Sequence, residues 1–573
     1  MAGVLTKHYI AILFAAAAVV MIYLPQFWLK NDSGADYQGI YYGGSDSELY
    51  YAGRIHDIYD GNLKTSNAFL AEYKNLPYIQ PPLPEIILAG LGYLSFSSDV
   101  AFRIFFATRV VLPFLLFLSV YTFIYRFTRS RAQGLLGAVL IFFGIDLLQN
   151  PKGVLNFLQF QFPNTSPVVF SRPVSPQMGM LFFFGYASLF WEWLKTKRNI
   201  FLYSTGIVLG FSVYIYFYTW TFVLAGNGFL GLYWLFTKSF TNFKKLVLLH
   251  ITALLVAIPY LFNVFAFFSI PNREQLGLHV GMFSSRNFFM NWSAIVGLAA
   301  SILVWFKDRQ KQIWFASLML GGFFAVNQQV FTGQELTPAH FHWYFIAPVF
   351  GLIGLMAFFK IFKLESRKIL KLGIVIILVG FLFTSGVIKQ QKSYAHYGEY
   401  YKARQRYGVV YDWLNDNTAT DSVVLVADRD EGDNITAFTH NNAYFSSFMF
   451  LSNTPQERLA DMHYLEVMLE GVSEKNAEQF FRDNPNRVAD LLGGFSIRRI
   501  YGCRTCFPEE EYTKAVSDYQ KYLEDGLPAL FNKYQLDYIV IDLQKDVWSP
   551  KNLSEAERVL IIGDFEIYRY NKE

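Results

Sequence analysis

The sequence predicts a polytopic α-helical membrane protein of about eleven transmembrane helices, followed by a C-terminal extracytoplasmic α/β domain. Three observations predict it. The chain is 53% hydrophobic, 19% aromatic and only 16% charged over 573 residues, less charge than a soluble chain of this length carries. Its apolar residues gather into stretches of about twenty, each able to cross ~30 Å of hydrocarbon at ~1.5 Å per residue. These stretches stop before residue 392, and a mixed, charged region follows.

The stretches fall near residues 9–29, 104–126, 132–149, 176–194, 200–218, 219–237, 246–268, 288–306, 312–330, 343–360 and 372–388. Lys7 and His8 precede the first, and no clear small-residue cleavage site follows it, so it reads as a signal anchor or an ordinary span. Basic residues orient the stack. Every second connection carries a cluster: Arg126, Arg129 and Arg131; Lys195, Lys197 and Arg198; Lys238, Lys244 and Lys245; Lys307, Arg309 and Lys311; Lys360, Lys363, Arg367, Lys368 and Lys371. Those connections are expected on the cytoplasmic side of a plasma (inner) membrane. The alternate ones hold only Lys152, Arg172, Arg273 and Arg286. The amino terminus is then inside, and the loop 30–103 and residues 389–573 are outside. The net charge of +4 is accounted for by the inner connections. With no basic helix or aromatic RNA-binding strand, it argues against a nucleic-acid partner.

Residues 1–392 therefore form the transmembrane domain and 393–573 a soluble domain large enough for its own core. Ser422 to Ala427 and Tyr538 to Asp542 read as strands, Arg558 to Tyr570 as a terminal hairpin, and Pro455 to Leu492 as helical. The junction around Gln390 to Tyr400 reads as a short ordered connection. Cys503 and Cys506 are the only cysteines. In an oxidising compartment they suit a local bridge, with free thiols or a redox role as alternatives, and two cysteines alone make no zinc site. Asp428-Arg-Asp430-Glu-Gly-Asp433 follows a strand and reads as a solvated turn, with a calcium site as the alternative.

In the first outer loop, Asp46, Tyr50 and Gly53 or Arg54 fall at helical spacing, so that Asp46 can begin a short helix with its carboxylate at the positive end. A helix cap and a catalytic acid remain equal readings of Asp46. Glu48 points to another face as a second candidate, and His56 and Asp57 read as surface residues of the same helix.

Here the chain resembles the GT-C class of integral-membrane glycosyltransferases, which includes the protein O-mannosyltransferases and the aminoarabinose transferases that modify lipid A. Asp46-Ser-Glu-Leu-Tyr-Tyr-Ala is similar to the class's Asp-Glu pair followed by Tyr and a helix, with Ser47 in place of the second acid. Gln80-Pro-Pro-Leu-Pro-Glu85 resembles its His-Pro-Pro-Leu, with Gln80 in place of the His, and Arg103 and Arg109 then lead into a span. Trp413-Leu-Asn-Asp-Asn-Thr-Ala-Thr-Asp-Ser-Val-Val-Leu resembles the start of the soluble domain of the oligosaccharyltransferases. Val426-Ala-Asp-Arg-Asp-Glu-Gly432 stands where their Trp-Trp-Asp-Tyr-Gly is expected, so their sequon pocket does not carry over.

The resemblance implies a GT-C-like fold and transfer of a sugar from a polyprenyl-phosphate donor to an extracytoplasmic lipid, glycan or protein acceptor. Such a site needs a base, a cation for the departing phosphate and an apolar groove, but no resident metal or cofactor. Asp46 is the expected base, with inversion at the anomeric carbon, and Glu48 its alternative. Arg172, Arg273 and Arg286, at span entrances, are candidates for the donor phosphate or for lipid-headgroup anchors. Tyr50, Gln80, Glu335, His340 and His342 are candidates for sugar or acceptor contact. In an oligosaccharyltransferase-like alternative, Glu335, His340 and His342 join Asp46 around a divalent metal. Arg109 is expected to pair with Asp146 inside the membrane. Tyr214-Ile-Tyr-Phe-Tyr-Thr-Trp220 reads as an interfacial aromatic run, with sugar stacking as the other use. A transporter or lipid flippase, or a scaffold whose outer domain binds a partner, are readings from other classes. No inverted repeat supports the first.

Overall fold

The computed structural model describes residues 2–44, 48–149, 155–156, 159, 165–269, 277, 281–305, 308–492, 501–503 and 505–572. Its membrane region begins with α1 (Ala2–Ser33), followed by α2 (Glu48–Tyr59) and α3 (Leu83–Gly92) in the first long loop. Then come α4 (Val100–Thr128, with a π-turn at Ala107–Val111), α5 (Arg131–Gln149), α6 (Gln177–Thr196), α7 (Asn199–Ser212), α8 (Phe217–Phe236) and α9 (Phe240–Phe268). The region closes with α10 (Trp292–Val304), α11 (Arg309–Val326), α12 (Pro338–Ile361) and α13 (Lys368–Arg404). A helix stands at each of the eleven predicted stretches. Among the described residues, six helices are long and apolar enough to cross a membrane by length and composition, namely α1, α4, α5, α9, α12 and α13. The chain is a multi-pass membrane protein.

Small residues set the closest helix crossings, as expected where lipid removes the hydrophobic drive and close backbone packing takes its place. A Cβ on Gly321 of α11 would run into the backbone of Gly226 on α8. On α7, Cβ atoms at Gly206 and Gly210 would lie 2.7 Å from the carbonyl oxygens of Leu249 and Ala253 on α9. On α1, Ala11, Ala15 and Ala18 are buried at helical spacing.

The basic connections gather on one face of the bundle. Lys197 Nζ donates to Asn242 (3.1 Å) and Lys245 Nζ to Asn199 (3.0 Å), joining two clusters. Arg309 reaches the Tyr233 hydroxyl (3.4 Å), and His8 meets Tyr121 (2.6 Å). The long loop between α1 and α4 lies at the opposite end, beneath the C-terminal domain.

That domain comprises α14 (Gly408–Asn417), β3 (Val423–Val426), α15 (Arg429–Phe438), β4 (Asn442–Ala443), α16 (Gln456–Leu469), α17 (Glu474–Asp483), α18 (Pro485–Leu492), α19 (Glu509–Lys533), β5 (Tyr538–Asp542), β6 (Ala556–Ile562) and β7 (Phe565–Tyr570). Two strands of the membrane region, β1 (Phe283–Ser284) and β2 (Gln334–Glu335), pair separately and antiparallel. The five-stranded sheet runs β4-β3-β5-β7-β6, with β3 parallel to β4 and β5, and β7 antiparallel to β5 and β6. Every residue of β3 and β5 is buried, which suits the Val- and Ile-rich runs of strands covered on both faces. Cys503 and Cys506 form a disulfide.

Several expectations change. The Gln390–Tyr400 junction is ordered, as expected, and its order is helical: α13 continues past its apolar part to Arg404. Asp428 begins a helix rather than a solvated turn: its carboxylate caps α15 by accepting from Asp430 N (2.9 Å), while Glu431 and Asp433 are buried. His56 and Asp57 are buried rather than exposed, because the C-terminal domain covers that face of α2. His56 Nδ1 meets Ala437 O (3.0 Å), and Lys74 bridges Asp57 (2.8 Å) and Asp421. Asn67 Nδ2 donates to Thr454 (3.0 Å), Ala443 N to Phe69 O (3.0 Å), and Arg458 pairs with Glu72 (2.8 Å), so domain and loop share one interface. Burial pushes the Asp57 carboxyl up to about 6 against the pull of Lys74.

Candidate active site

The segment before α2 is held by the polar end of α13. Gln38 N donates to Gln405 Oε1 (3.0 Å), and Gln405 Nε2 donates to Ile40 O (2.8 Å). The Tyr42 hydroxyl meets Ser393 Oγ (2.7 Å), and Gly44 N donates to the Tyr401 hydroxyl (2.9 Å). Both glycines are required. Gly44 sits at φ +71°, and a Cβ on Gly43 would collide with Tyr401. Asp46 lies outside the described residues, as do Ser45 and Ser47; the nearest described residues are Gly44 and Glu48.

Glu48 opens α2 and turns into the protein, where its carboxylate pairs with the Arg109 guanidinium. The same Arg109 nitrogen, Nη2, also donates to Gly43 O (3.1 Å). This corrects the expected Arg109–Asp146 pair. Asp146 pairs instead with Lys389 of α13, because the π-turn region of α4 faces the loop rather than α5. Burial pushes the Glu48 carboxyl up to about 7, with Arg109 pulling the other way. Glu48 is not among the residues lining the cavity described below.

Six residues further along α2, Arg54 makes a second buried pair. Its Nε donates to Glu85 (2.7 Å), Nη1 to Thr65 O (2.8 Å) and Nη2 to Gln80 O (3.1 Å). This fixes the Gln80-Pro-Pro turn, whose Gln80 Oε1 accepts from the Tyr50 hydroxyl (3.0 Å).

Tyr50 and Gln80 open onto a cavity of about 500 Å³ between the loop, the start of α8 and the end of α9. Tyr51, Tyr78, Tyr216 and Tyr218 also line it, and Leu451 of the C-terminal domain closes one side. Among the described residues lining it, Arg172 carries the only charge. The Arg172 turn is buttressed twice. Gln177 Nε2 donates to Arg172 O (2.8 Å), and Gln390 of α13 donates to Ser171 Oγ (3.1 Å) while accepting from Val168 N (3.1 Å). The aromatic run 214–220 thus supplies cavity wall, with Ile215, Tyr216, Phe217 and Tyr218 facing in.

An apolar groove of about 630 Å³ adjoins the cavity, with Phe217 and Leu336 lining both. Its α8 wall is Phe217, Thr221, Leu224, Gly228 and Leu232, one helix face that rises about 22 Å. Phe324, Ala325 and Gln328, from the end of α11, form the other wall.

The remaining candidates lie elsewhere. Arg286 is exposed, donates to Val330 O (2.8 Å), and does not line the cavity. Arg273 lies outside the described residues. Glu335 is fully buried in β2 opposite Phe283. His340 stands behind the cavity wall, with Nδ1 2.9 Å from the Tyr216 hydroxyl, whereas His342 Nδ1 meets Asn291 (3.1 Å). The two histidines have different partners, and among the described residues no group of three or more His, Cys, Asp or Glu is placed to hold a metal. Sequence reasoning missed the bracing residues Gln390, Tyr401 and Gln405. Their one signal was polarity continuing beyond the apolar part of the last predicted span.

No protein-family model and no curated protein matches the chain. Among solved structures, it is similar to the apo oligosaccharyltransferase of Archaeoglobus fulgidus, with a TM-score of 0.47 and 12% identity over 94% of this chain and 70% of that one. It is also similar to ArnT from Cupriavidus metallidurans, at a TM-score of 0.44 and 11% identity in the apo state and 0.42 and 14% bound to undecaprenyl phosphate, covering 98% of both chains in each case.

Proposed function

We propose that this protein is a GT-C-like membrane glycosyltransferase that moves a sugar from a polyprenyl-phosphate donor to an extracytoplasmic acceptor. The observation that carries the reading is an aromatic cavity in which Arg172 is the one cation among the described lining residues, adjoining a long apolar groove between α8 and the end of α11. A lipid phosphate sugar has the same three parts. Its prenyl chain suits the groove, its phosphate suits Arg172, and its sugar suits the tyrosine-lined space beside Gln80.

In this reading the acceptor hydroxyl attacks the anomeric carbon as the bond from that carbon to the phosphate oxygen breaks. The bonding pair leaves on the phosphate, and the hydroxyl proton passes to the Asp46 carboxylate. Single displacement inverts the anomeric centre. Arg172 offsets charge growing on the departing phosphate in a largely apolar wall, where such a contact is worth more than in water. In this reading Glu48 and Arg109 tie Gly43 to the start of α2 and do not touch the sugar. Lipid, glycan and protein acceptors all remain open to this chemistry.

The test is release of polyprenyl phosphate by the purified full chain in nanodiscs, given a panel of polyprenyl-phosphate sugars and crude envelope acceptors. Release by the wild type that disappears in Asp46→Asn, at unchanged melting temperature, supports the reading. Equal release by both removes Asp46 as the base. In sealed proteoliposomes, movement of intact donor between leaflets without release of lipid phosphate replaces transferase with flippase.

A further inference from the structure

At the basic face of the bundle, the ends of α4, α5, α10, α11 and α12 enclose a second pocket of about 390 Å³. Its walls are apolar and aromatic: Phe127, Trp305, Met356 and Phe359. Lys311, Lys360 and Lys363 line it as well. These lysines come from two connections of the sequence, Lys311 from one and Lys360 and Lys363 from the other, and the fold brings them round one opening.

The local charges leave this opening cationic. Glu365, the acid among the lining residues, is engaged by Gln133 Nε2 (3.0 Å) and by Lys371 (2.8 Å) from outside the lining. Lys311 is 3.2 Å from Asp308 and 5.0 Å from the Phe127 ring centroid, which fixes its ammonium over the aromatic wall. Lys360 donates to Val304 O at the end of α10, and Lys363 is exposed. A pocket for a fully hydrated anion has no use for Trp305 and Phe359. A phosphate attached to an apolar body matches both the rim and the walls.

We infer that this pocket binds an anionic phospholipid of the adjoining leaflet, its phosphate among Lys311, Lys360 and Lys363 and its glycerol and first acyl carbons against Trp305, Met356 and Phe359. The inference rests on the protein's lying in a membrane and is independent of what the opposite cavity does. Basic pockets between membrane helices recognise such headgroups by charge and shape. Occupancy ties together the connections following α4, α10 and α12, so bound lipid stabilises the bundle at this end.

Native mass spectrometry of the full chain in neutral detergent tests it, with added phosphatidylglycerol, phosphatidylcholine or free glycerol 1-phosphate. Phosphatidylglycerol is expected to be retained over phosphatidylcholine and to raise the melting temperature. Lys311→Gln/Lys360→Gln/Lys363→Gln should weaken that retention about a hundredfold, each lysine near an anionic headgroup contributing roughly fivefold. Lys195→Gln/Lys238→Gln/Lys244→Gln, with the same change of charge on the same face, should bind as the wild type does. Should the first triple variant not fold, Lys363→Gln alone, at an exposed position, is expected to show the fivefold loss. The inference is overturned if the control triple loses as much, if both lipids bind equally, if the pocket variants retain full affinity, or if glycerol 1-phosphate binds as tightly as the lipid.

Discussion

Two arginine–carboxylate pairs lie buried around α2, which supplies the carboxylate of one, Glu48, and six residues later the guanidinium of the other, Arg54. Arg54 spends Nε, Nη1 and Nη2 on Glu85, Thr65 O and Gln80 O, three points distant in sequence. Arg109 directs Nη2 at both Glu48 and Gly43 O, and its Nε has no hydrogen-bond partner among the described residues. The first arrangement locks a turn. The second leaves a donor uncommitted and a carboxyl pushed up to about 7 by burial, in the residue that follows the Asp46 segment. The guanidinium that spends all three nitrogens thus differs from the one whose Nε has no partner among the described residues, beside a carboxyl whose protonation changes near neutral pH.

Removing Arg54 breaks this comparison most forcefully. Arg54→Met leaves Glu85 buried without its cation and should cost about 3–5 kcal/mol, read as a large fall in melting temperature with activity lost in proportion to folded protein. Arg109→Gln should cost less stability, about 1–3 kcal/mol, because Glu48 can take up a proton once its partner is gone. Its effect should fall on turnover instead, by about a hundredfold at equal folded fraction, if displacement of the Asp46 segment is what is lost.

Titration sharpens the same contrast. The folded-state pKa of Glu48 is raised from 4.5 to about 7, so its contribution to stability is full below 4.5 and is lost as pH rises through 7. Lowering the pH from about 8 to about 6 should therefore stabilise the wild type more than Glu48→Gln. Melting curves at the two pH values check it. The smallest expected effect is that of Tyr401→Phe, which removes the acceptor for Gly44 N and should cost about 1 kcal/mol with a several-fold loss of turnover.

The apolar stretches and the strands at 422–427 and 538–542 were legible in the sequence because each carries its own periodicity over enough residues to stand out. The α2 helix was legible from spacing alone. Arg109–Glu48 was not, since the partners are joined only by tertiary packing and Asp146 offered a nearer carboxylate in the next helix. His56 and Asp57 were misread for a related reason: a polar helix face looks solvated until a second domain is placed over it. Gln390, Ser393, Tyr401 and Gln405 were invisible as a group because a polar run after a membrane span reads equally well as linker. In the candidate site, Tyr50, Gln80 and Arg172 come together at one cavity, whereas Arg286, Glu335, His340 and His342 do not line it. The groove along α8 was hidden in a span whose every face is apolar, where composition says nothing about which side is left open.

The central claim is that a lipid phosphate lies with its head in the cavity beside Arg172 and its chain along α8. A polyprenyl phosphate bearing a photoreactive isoprene unit tests it directly, with labelled peptides identified after irradiation of the full chain in nanodiscs. Labelling is predicted on Phe217–Phe236 and Arg309–Val326, abolished by excess unlabelled polyprenyl phosphate and weakened in Arg172→Gln. Labelling spread over the exposed face of α9 and unaffected by competitor would contradict it.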